Sequence, residues 1–294
     1  MFERVFTATD MLSACDAAVI AALEIAQQNK GKLFVMHVLE PSYFHECGPM
    51  ESVKDFKTGK ETSATKEYKD MVKQELDKKC EGALKPYGNY QIDVVYGKPS
   101  IEIRRWSKKV GADLIVLGPH AGKAEEEEEL IGLPIGNTAE DVISHTTVPV
   151  MIINRLIPKE KLQFKKILVG VDFSKSCKYA CQFAAKLAER YGAKLSFFHM
   201  SSGKSTKSAK DKMKEFCKMP KGIEHELTIW GGTQPQEEIL KFARDMDADL
   251  IVMGSRTKEA EKRMYVGSAV EHVSAESSCP IAVVTHPDAL AKLR

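Results

Sequence analysis

Two glycine-bearing turns late in the chain carry the residues best suited to chemistry. The first reads Gly254-Ser255-Arg256-Thr257, and after nine residues the second begins at Gly267-Ser268-Ala269. Glycine lets backbone N–H groups approach an oxyanion closely, because no Cβ intrudes. A helix predicted to start beside Ser268 would add unpaired N–H groups that favour an anion, and the Ser268 hydroxyl could donate to it. This spacing therefore indicates a cradle for phosphate.

The charge around these turns fits a polyphosphate. Four basic residues lie in or beside the segment that joins them: Arg256, Lys258, Lys262 and Arg263. Positive charge beside a glycine turn and a helix N-terminus would lower the energy of a bound anion.

A weaker counterpart occurs earlier in the chain. Gly118-Pro119-His120-Ala121 is followed by Gly136-Asn137, with five glutamates at 125–129 accounting for five extra residues between them. The insertion brings negative charge to the loop that would meet phosphate, and Pro119 removes a backbone donor. Asn137 and Thr138 could still cap the following helix. A phosphate site here should be weaker, and the glutamate run could instead be a solvated loop.

The two sets of turns belong to two copies of one domain. The heptapeptide 112–118, ADLIVLG, returns at 248–254 as ADLIVMG, and the spacing from Asp10 to His37 equals that from Asp172 to His199. A repeat of nearly half the chain indicates two whole domains rather than a solenoid. We expect them to span residues 1–155 and 164–288.

The pattern of each copy predicts a doubly wound α/β fold. Apolar β-branched runs alternate with amphipathic segments, such as the one in which Ile101, Ile103 and Trp106 fall at helical spacing. Each copy should form a five-stranded parallel sheet covered by about four helices. Ligands of such folds bind at the carboxyl ends of the strands, where Asp10, Asp172, Gly118 and Gly254 fall.

Two segments lie outside the repeat. A polar insert at about 40–65 precedes a helix predicted at Lys66–Leu84, and a short linker near Asn154–Gln163 joins the copies. Because the linker is too short for independent tumbling, the copies should pack on each other.

These motifs resemble those of the universal stress protein family in its tandem two-domain form. The resemblance rests on G-x-x-G, nine residues, then G-[S/T], on the first-strand aspartate, the second-strand histidine and the final C-P-I strand. It implies a Rossmann-like fold, similar to the adenine nucleotide alpha hydrolases. It also implies that the last strands, at 148–153 and 281–284, pair with each other, and further pairing of chains into a homodimer remains open.

The resemblance further implies a site for ATP or another adenine nucleotide, with or without magnesium. Asp172 would approach the ribose or adenine, Met200 would border the base, and Met253 and Gly254 would lie at the strand exit. Arg256, Thr257, Gly267, Ser268 and Ala269 would surround the phosphates. Thr257 replaces the second glycine of the motif, and a β-branched residue disfavours positive φ. The first-copy counterparts are Asp10, Val38, Gly118, Gly136 and Asn137.

Other signals mainly exclude functions. The net charge of +2 and the lack of a nucleic-acid motif predict no nucleic-acid partner. No apolar run is long enough for a membrane helix and the N-terminus does not read as a signal peptide, so we expect a cytoplasmic protein. Seven cysteines without a C-x-x-C pair should be reduced, with Cys177 and Cys181 on a buried helix face. His45-Glu46-Cys47 lacks a fourth ligand, so no metal site is predicted.

Three classes of function remain open. The first is a stress-response or signalling protein that binds an adenine nucleotide in the second copy and acts on an unknown protein partner. The second is an interaction module with both sites empty. The third is a nucleotide-hydrolysing or nucleotidyl-transfer enzyme, for which no catalytic base or phosphate loop of the required type is visible, although slow ATP hydrolysis stays open.

Overall fold

The computed structural model describes residues 1–11, 17–42, 52–55, 57–120, 135–201, 206–255, 258–260 and 263–291. Within these ranges, no helix combines the length and the apolarity required to cross a lipid bilayer.

Strands and helices alternate in each half. The first half contains β1 Arg4–Ala8, α1 Ala17–Asn29, β2 Lys32–Leu39, β3 Ser52–Lys54, β4 Glu61–Ser63, α2 Lys66–Leu84, β5 Tyr90–Tyr96, α3 Pro99–Lys109, β6 Leu114–Leu117, α4 Asn137–His145 and β7 Val150–Ile152. The second half contains β8 Lys166–Gly170, α5 Lys175–Tyr191, β9 Lys194–Ser201, α6 Thr206–Phe216, β10 His225–Gly231, α7 Pro235–Asp245, β11 Leu250–Gly254, β12 Lys258–Ala260, β13 Arg263–Tyr265, α8 Ser268–Glu276 and β14 Ile281–Val284.

The two halves share one ten-stranded sheet, in the order β10-β9-β8-β11-β14-β7-β6-β1-β2-β5. Within each half the five neighbouring strands run parallel. At the centre, β7 and β14 pair antiparallel, with Met151 opposite Ala282. The predicted pairing of the last strands of the two copies is therefore present inside one chain.

Helices cover both faces of this sheet. On one face, side chains from α1, α2, α5 and α6 form an apolar core that continues across the two halves. On the other face, α3, α4, α7 and α8 enclose a second continuous core. Strand residues alternate between the cores, as for Val5 in the first and Phe6 in the second, because successive side chains of a strand point to opposite faces.

The predicted fold class is confirmed, with differences in detail. Helix α2 has the bounds expected from the sequence, and the polar insert contributes the short antiparallel pair β3 and β4. The prediction that Ile101 lies on a buried helix face is wrong, because Ile101 is 47% exposed. Since α3 begins at Pro99, the stripe turned to the core instead runs through Ser100, Ile103 and Ser107.

Candidate functional site

The carboxyl ends of the second-half strands gather the predicted phosphate-site residues at one edge of the sheet. β11 ends at Gly254, and α8 begins directly after its N-cap residue, Gly267. A Cβ on Gly254 would lie 2.4 Å from the backbone nitrogen of Cys177. Glycine at this position therefore allows the first turn of α5 to pack directly on the strand exit.

The start of α8 presents backbone donors to this edge. The first intrahelical bonds run from the amides of Val270 and Glu271 to the carbonyl of Gly267, so the amides of Ser268 and Ala269 precede them. The Gly267 amide donates to the Ser255 hydroxyl at 3.2 Å. Ser268 is exposed and its hydroxyl stands at the first helical position. These groups together form a donor-rich surface that favours an anion.

A hairpin that the sequence did not predict occupies much of the nine-residue spacer. β12 and β13 pair antiparallel, with Lys258 opposite Tyr265. Arg256 and Thr257, which replaces the second glycine of the motif, lie outside the described residues.

Asp172 lies two residues beyond β8 and is exposed at the same edge. Its Oδ1 accepts a hydrogen bond from the Ser174 amide at 2.8 Å, and the Ser174 hydroxyl in turn caps α5 by accepting from the Cys177 amide. The carboxylate is thus oriented by the turn that leads into α5. Sequence reasoning selected Asp172 but not this turn.

Phe173 is a residue of this edge that sequence reasoning missed. It adopts a left-handed backbone conformation, with φ of 59°, and the matching residue of the first half, Met11, does the same with φ of 65°. Such conformations are unusual for a residue other than glycine and cost of order 1 kcal/mol or more. The Phe173 ring packs against His199, with 4.5 Å between the ring centroids. Its centroid lies 4.2 Å from Nζ of Lys212.

Met200 and Met253 form part of the apolar wall behind this edge. Met253 is buried, whereas Met200 is half-buried and packs against the same core. A Cβ on Gly232 would lie 2.2 Å from the methyl group of Met200, so the glycine leaves room for that side chain. The wall continues into the aromatic cluster of Phe198, Trp230 and Phe242.

The first half holds an open cleft at the equivalent edge. Its volume is about 430 Å³, within the range of small-molecule sites. All five first-half residues predicted from the sequence line it: Asp10, Val38, Gly118, Gly136 and Asn137. The expected cap is different, because Gly136 is the N-cap of α4 and Asn137 is the first helical residue.

The charge of this cleft differs from that of the second-half loop. The carboxylates of Asp10 and Glu40 line it, and its described lining residues include no lysine or arginine. His120 lines it at the position where the second half carries Arg256. The Gly136 amide donates to the Pro119 carbonyl at 2.8 Å. Glu40 and His120 were missed, although aligning the two copies residue by residue places His120 opposite Arg256 and would have identified that position.

The paired histidines of the second strands each lie within hydrogen-bond distance of a backbone carbonyl at this edge of the sheet. His37 is 4% exposed and its Nδ1 lies 2.9 Å from the Thr9 carbonyl, while His199 Nδ1 lies 2.8 Å from the Val171 carbonyl. Burial lowers the pKa of His37, more than its contact with Thr9 raises it. A neutral ring with its proton on Nδ1 fits that contact, and His37 also borders the cleft.

Three thiols converge beneath the second-half edge. Cys177, Cys181 and Cys217 are all buried, which confirms the predicted burial of the α5 pair. The neighbouring thiols of Cys177 and Cys217 raise the pKa of Cys181, and burial raises it further. Cys181 is therefore a protonated thiol of low reactivity. His45-Glu46-Cys47 lies outside the described residues.

Sequence comparison identifies one family across both halves. The Universal stress protein family signature matches residues 1–154, 163–216 and 205–285. The universal stress protein YxiE of Bacillus subtilis strain 168 is 30% identical over 152 residues, which cover 41% of this chain and 99% of that protein. The universal stress protein MJ0531 of Methanocaldococcus jannaschii is 26% identical over 155 residues, covering 46% of this chain and 91% of that protein.

Structure comparison agrees on the fold. The crystal structure of a universal stress protein from Archaeoglobus fulgidus DSM 4304 superposes with a TM-score of 0.67 at 22% identity, over 97% of this chain and 99% of that chain. That similarity extends through both halves and reproduces the tandem arrangement. With its family signature matched from the first strand to the last, the chain belongs to the universal stress protein family.

Proposed function

We propose that this protein binds an adenine nucleotide, with ATP as the first candidate, in its second half. The observation that carries the proposal is the start of α8, where the amides of Ser268 and Ala269 stand beside the strand exit at Gly254. Phosphate would lie at this helix N-terminus, because unpaired amides and the helix dipole both favour negative charge there.

The remaining roles follow from the edge of the sheet. Asp172, exposed beside the start of α5, would accept from ribose hydroxyls or from the base. Met200 and Met253 would supply apolar contact to the adenine ring. Arg256 and Thr257 would complete the phosphate loop, and a magnesium ion could accompany the phosphates.

We propose that the first half does not retain a polyphosphate. Glu40 adds a second carboxylate to its cleft beside that of Asp10, and a carboxylate a few ångströms from a phosphate repels it even in a partly solvated site. The Gly136 amide donates to Pro119 as the Gly267 amide donates to Ser255, so the proposal rests on the difference in charge between the two halves. The chain should therefore hold one nucleotide, in a domain spanning about 164–288, while the domain at about 1–155 holds none.

We further propose that binding serves signalling rather than turnover. A nucleotide-occupied second half would present a different surface to a protein partner than an empty one, which links nucleotide level to a stress response. The five cysteines within the described ranges are free, as in proteins of reducing compartments, and a cytoplasmic location fits them.

Two substitutions at Gly267 test the site with one matched pair. Gly267→Asp and Gly267→Asn both place a good capping side chain before α8, so both variants should fold. Only the aspartate adds a negative charge where phosphate would lie. We expect Gly267→Asp to weaken ATP binding at least about tenfold relative to Gly267→Asn, measured by calorimetric titration. Equal affinity in the two variants would remove this helix start from the site.

A further inference from the structure

The loop that precedes α8 in the second half, residues 255–267, is called the phosphate loop, and its described end contacts the first half. β13, which forms the return arm of the loop hairpin, lies against α4. Directly after β13, Val266 is buried in the apolar core that also contains Ile135, Ala139 and Ile143 of the first half. The end of the loop is thus packed into a core that it shares with the other copy.

A hydrogen bond fixes this contact. The backbone amide of Val266 donates to Oε1 of Glu140 at 3.3 Å. Val266 immediately precedes Gly267, the N-cap of α8, whose own amide donates to Ser255. Glu140 therefore holds the residue at which the loop enters the helix that would bind phosphate.

The same helix also borders the first-half cleft. α4 starts at Asn137, and Gly136, Asn137, Thr138 and Ala139 line that cleft. Glu140 follows them in the first turn of α4. A shift of this turn would consequently move the carboxylate that holds Val266, because the helix is a rigid hydrogen-bonded element.

We propose that Glu140, a residue of the first half, is a positioning residue for the nucleotide site of the second half. The inference rests on the proposed function, and it adds a regulatory link: the first half sets how well the phosphate loop is preorganised. A loop already held in its binding conformation loses less entropy when ligand binds. A ligand that occupies the first-half cleft and shifts α4 would alter the nucleotide affinity of the second half.

The test compares three variants of the full chain. Glu140→Ala removes the acceptor, and Glu140→Gln keeps an oxygen that can still accept from Val266. Asp141→Ala removes the same charge from the neighbouring position, which pairs with Arg104 and His145 inside the first half. Hydrogen exchange of the Val266 amide without nucleotide is measured first, followed by the Kd for ATP.

The expected results distinguish the effect of losing the hydrogen bond to Val266 from the effect of losing a negative charge. Glu140→Ala should speed Val266 exchange and raise the Kd for ATP about fivefold each, the effect of one lost hydrogen bond. Glu140→Gln and Asp141→Ala should stay within about twofold of the parent, or bind ATP slightly more tightly, since loss of a nearby negative charge favours an anion.

Two failures can be told apart. An unchanged hydrogen-exchange rate of the Val266 amide in Glu140→Ala would overturn the proposed positioning role, whatever the Kd for ATP. If the parent binds no ATP, the proposed function fails, while Val266 exchange still decides whether Glu140 fixes the loop. A raised Kd in Asp141→Ala equal to that in Glu140→Ala would show that the effect does not depend on the hydrogen bond to Val266, and would also overturn the proposal.

Discussion

Asp113 and Asp249 hold matching positions in the repeated heptapeptide, at the edge of the sheet opposite the candidate sites. Asp113 Oδ2 accepts from the amides of Glu3 and Arg4, and Asp249 Oδ2 accepts from those of Lys165 and Lys166. Each aspartate thus secures the start of the first strand of its half. Within the described part of the chain, Asp249 but not Asp113 also has a lysine partner, as its Oδ1 lies 3.3 Å from Lys161 Nζ.

This difference predicts a pH dependence that belongs to Asp113. Burial raises the pKa of Asp113 from its ordinary value of 3.8 to about 6, despite the two amide bonds. The folded protein therefore favours the protonated acid, and that stabilisation is lost as the pH rises from about 4 to about 6. Asp113→Asn does not titrate, so the variant should gain about 2 kcal/mol of unfolding free energy relative to the parent between about pH 4.5 and pH 7.5.

Urea unfolding of both proteins at pH 4.5 and pH 7.5 measures this change. Asp249→Asn is the comparison variant, and it should lose stability at both pH values because it removes the carboxylate that pairs with Lys161, although Lys161 still pairs with Asp247. A stability difference between Asp113→Asn and the parent that stays the same at both pH values would contradict the account.

At the residue scale, the sequence identified groups better than it identified their roles. The repeat selected Asp10, Asp172 and Gly254, because each is a conspicuous residue at the end of an apolar run. It could not show that Gly254 serves helix packing. The first turn of α5, which contacts Gly254, lies far earlier in the sequence, and the contact is recognisable only in three dimensions. Nor did hydropathy indicate the left-handed backbone at Met11 and Phe173.

At the element scale, capping ties the last strand of one half to the last helix of the other. The buried side-chain amide of Asn154 donates to the carbonyls of Ser274, Ala275 and Ser277 at the end of α8. Thr285, which follows β14 as Asn154 follows β7, donates to the Thr146 carbonyl at 3.4 Å. The two contacts are related by the repeat, but the first is much more extensive.

Removing these contacts should affect stability unequally. Asn154→Ala leaves buried carbonyls of α8 without their donor, so we expect a loss of about 2 kcal/mol in the free energy of unfolding. Thr285→Val keeps the side-chain shape and removes one long hydrogen bond, which should cost less than about 1 kcal/mol. Urea denaturation compares the two, and an equal loss in both variants would contradict the unequal roles.

The elements that could be predicted are those with strong periodicity. α2 and the heptapeptide strands β6 and β11 follow directly from their apolar patterns. The hairpin of β12 and β13 could not, because three-residue strands in a charged segment leave no alternation to detect. Glu140 was missed for the same reason, since its partner is the backbone of that loop.

At the scale of the whole molecule, the two halves pack together through two continuous apolar cores. One core continues from α1 into α5, where Phe2 packs near Phe183 and Asn29 hydrogen-bonds the Tyr191 hydroxyl. The central strands β7 and β14 add backbone pairing across the same boundary. The short linker indicated packing of the halves, whereas their antiparallel junction was expected only from the family resemblance.

One tryptophan in each half can report whether the halves unfold together. Trp106 lies in α3 of the first half and Trp230 in β10 of the second, and the chain has no other tryptophan. In Trp106→Phe and Trp230→Phe variants, fluorescence follows one half at a time. We expect the same urea midpoint from both reporters, since the halves share both cores. Two separated midpoints would show that each half unfolds independently.

The number of ATP molecules bound per chain at saturation shows directly whether the second half alone binds nucleotide. Titration of the full chain with ATP and magnesium, with bound nucleotide quantified after separation, gives this number. We expect one ATP per chain, held in the second half and lost in Gly267→Asp. No bound nucleotide would contradict the proposed function. Two nucleotides per chain would contradict the proposal that the carboxylates of the first-half cleft prevent binding there.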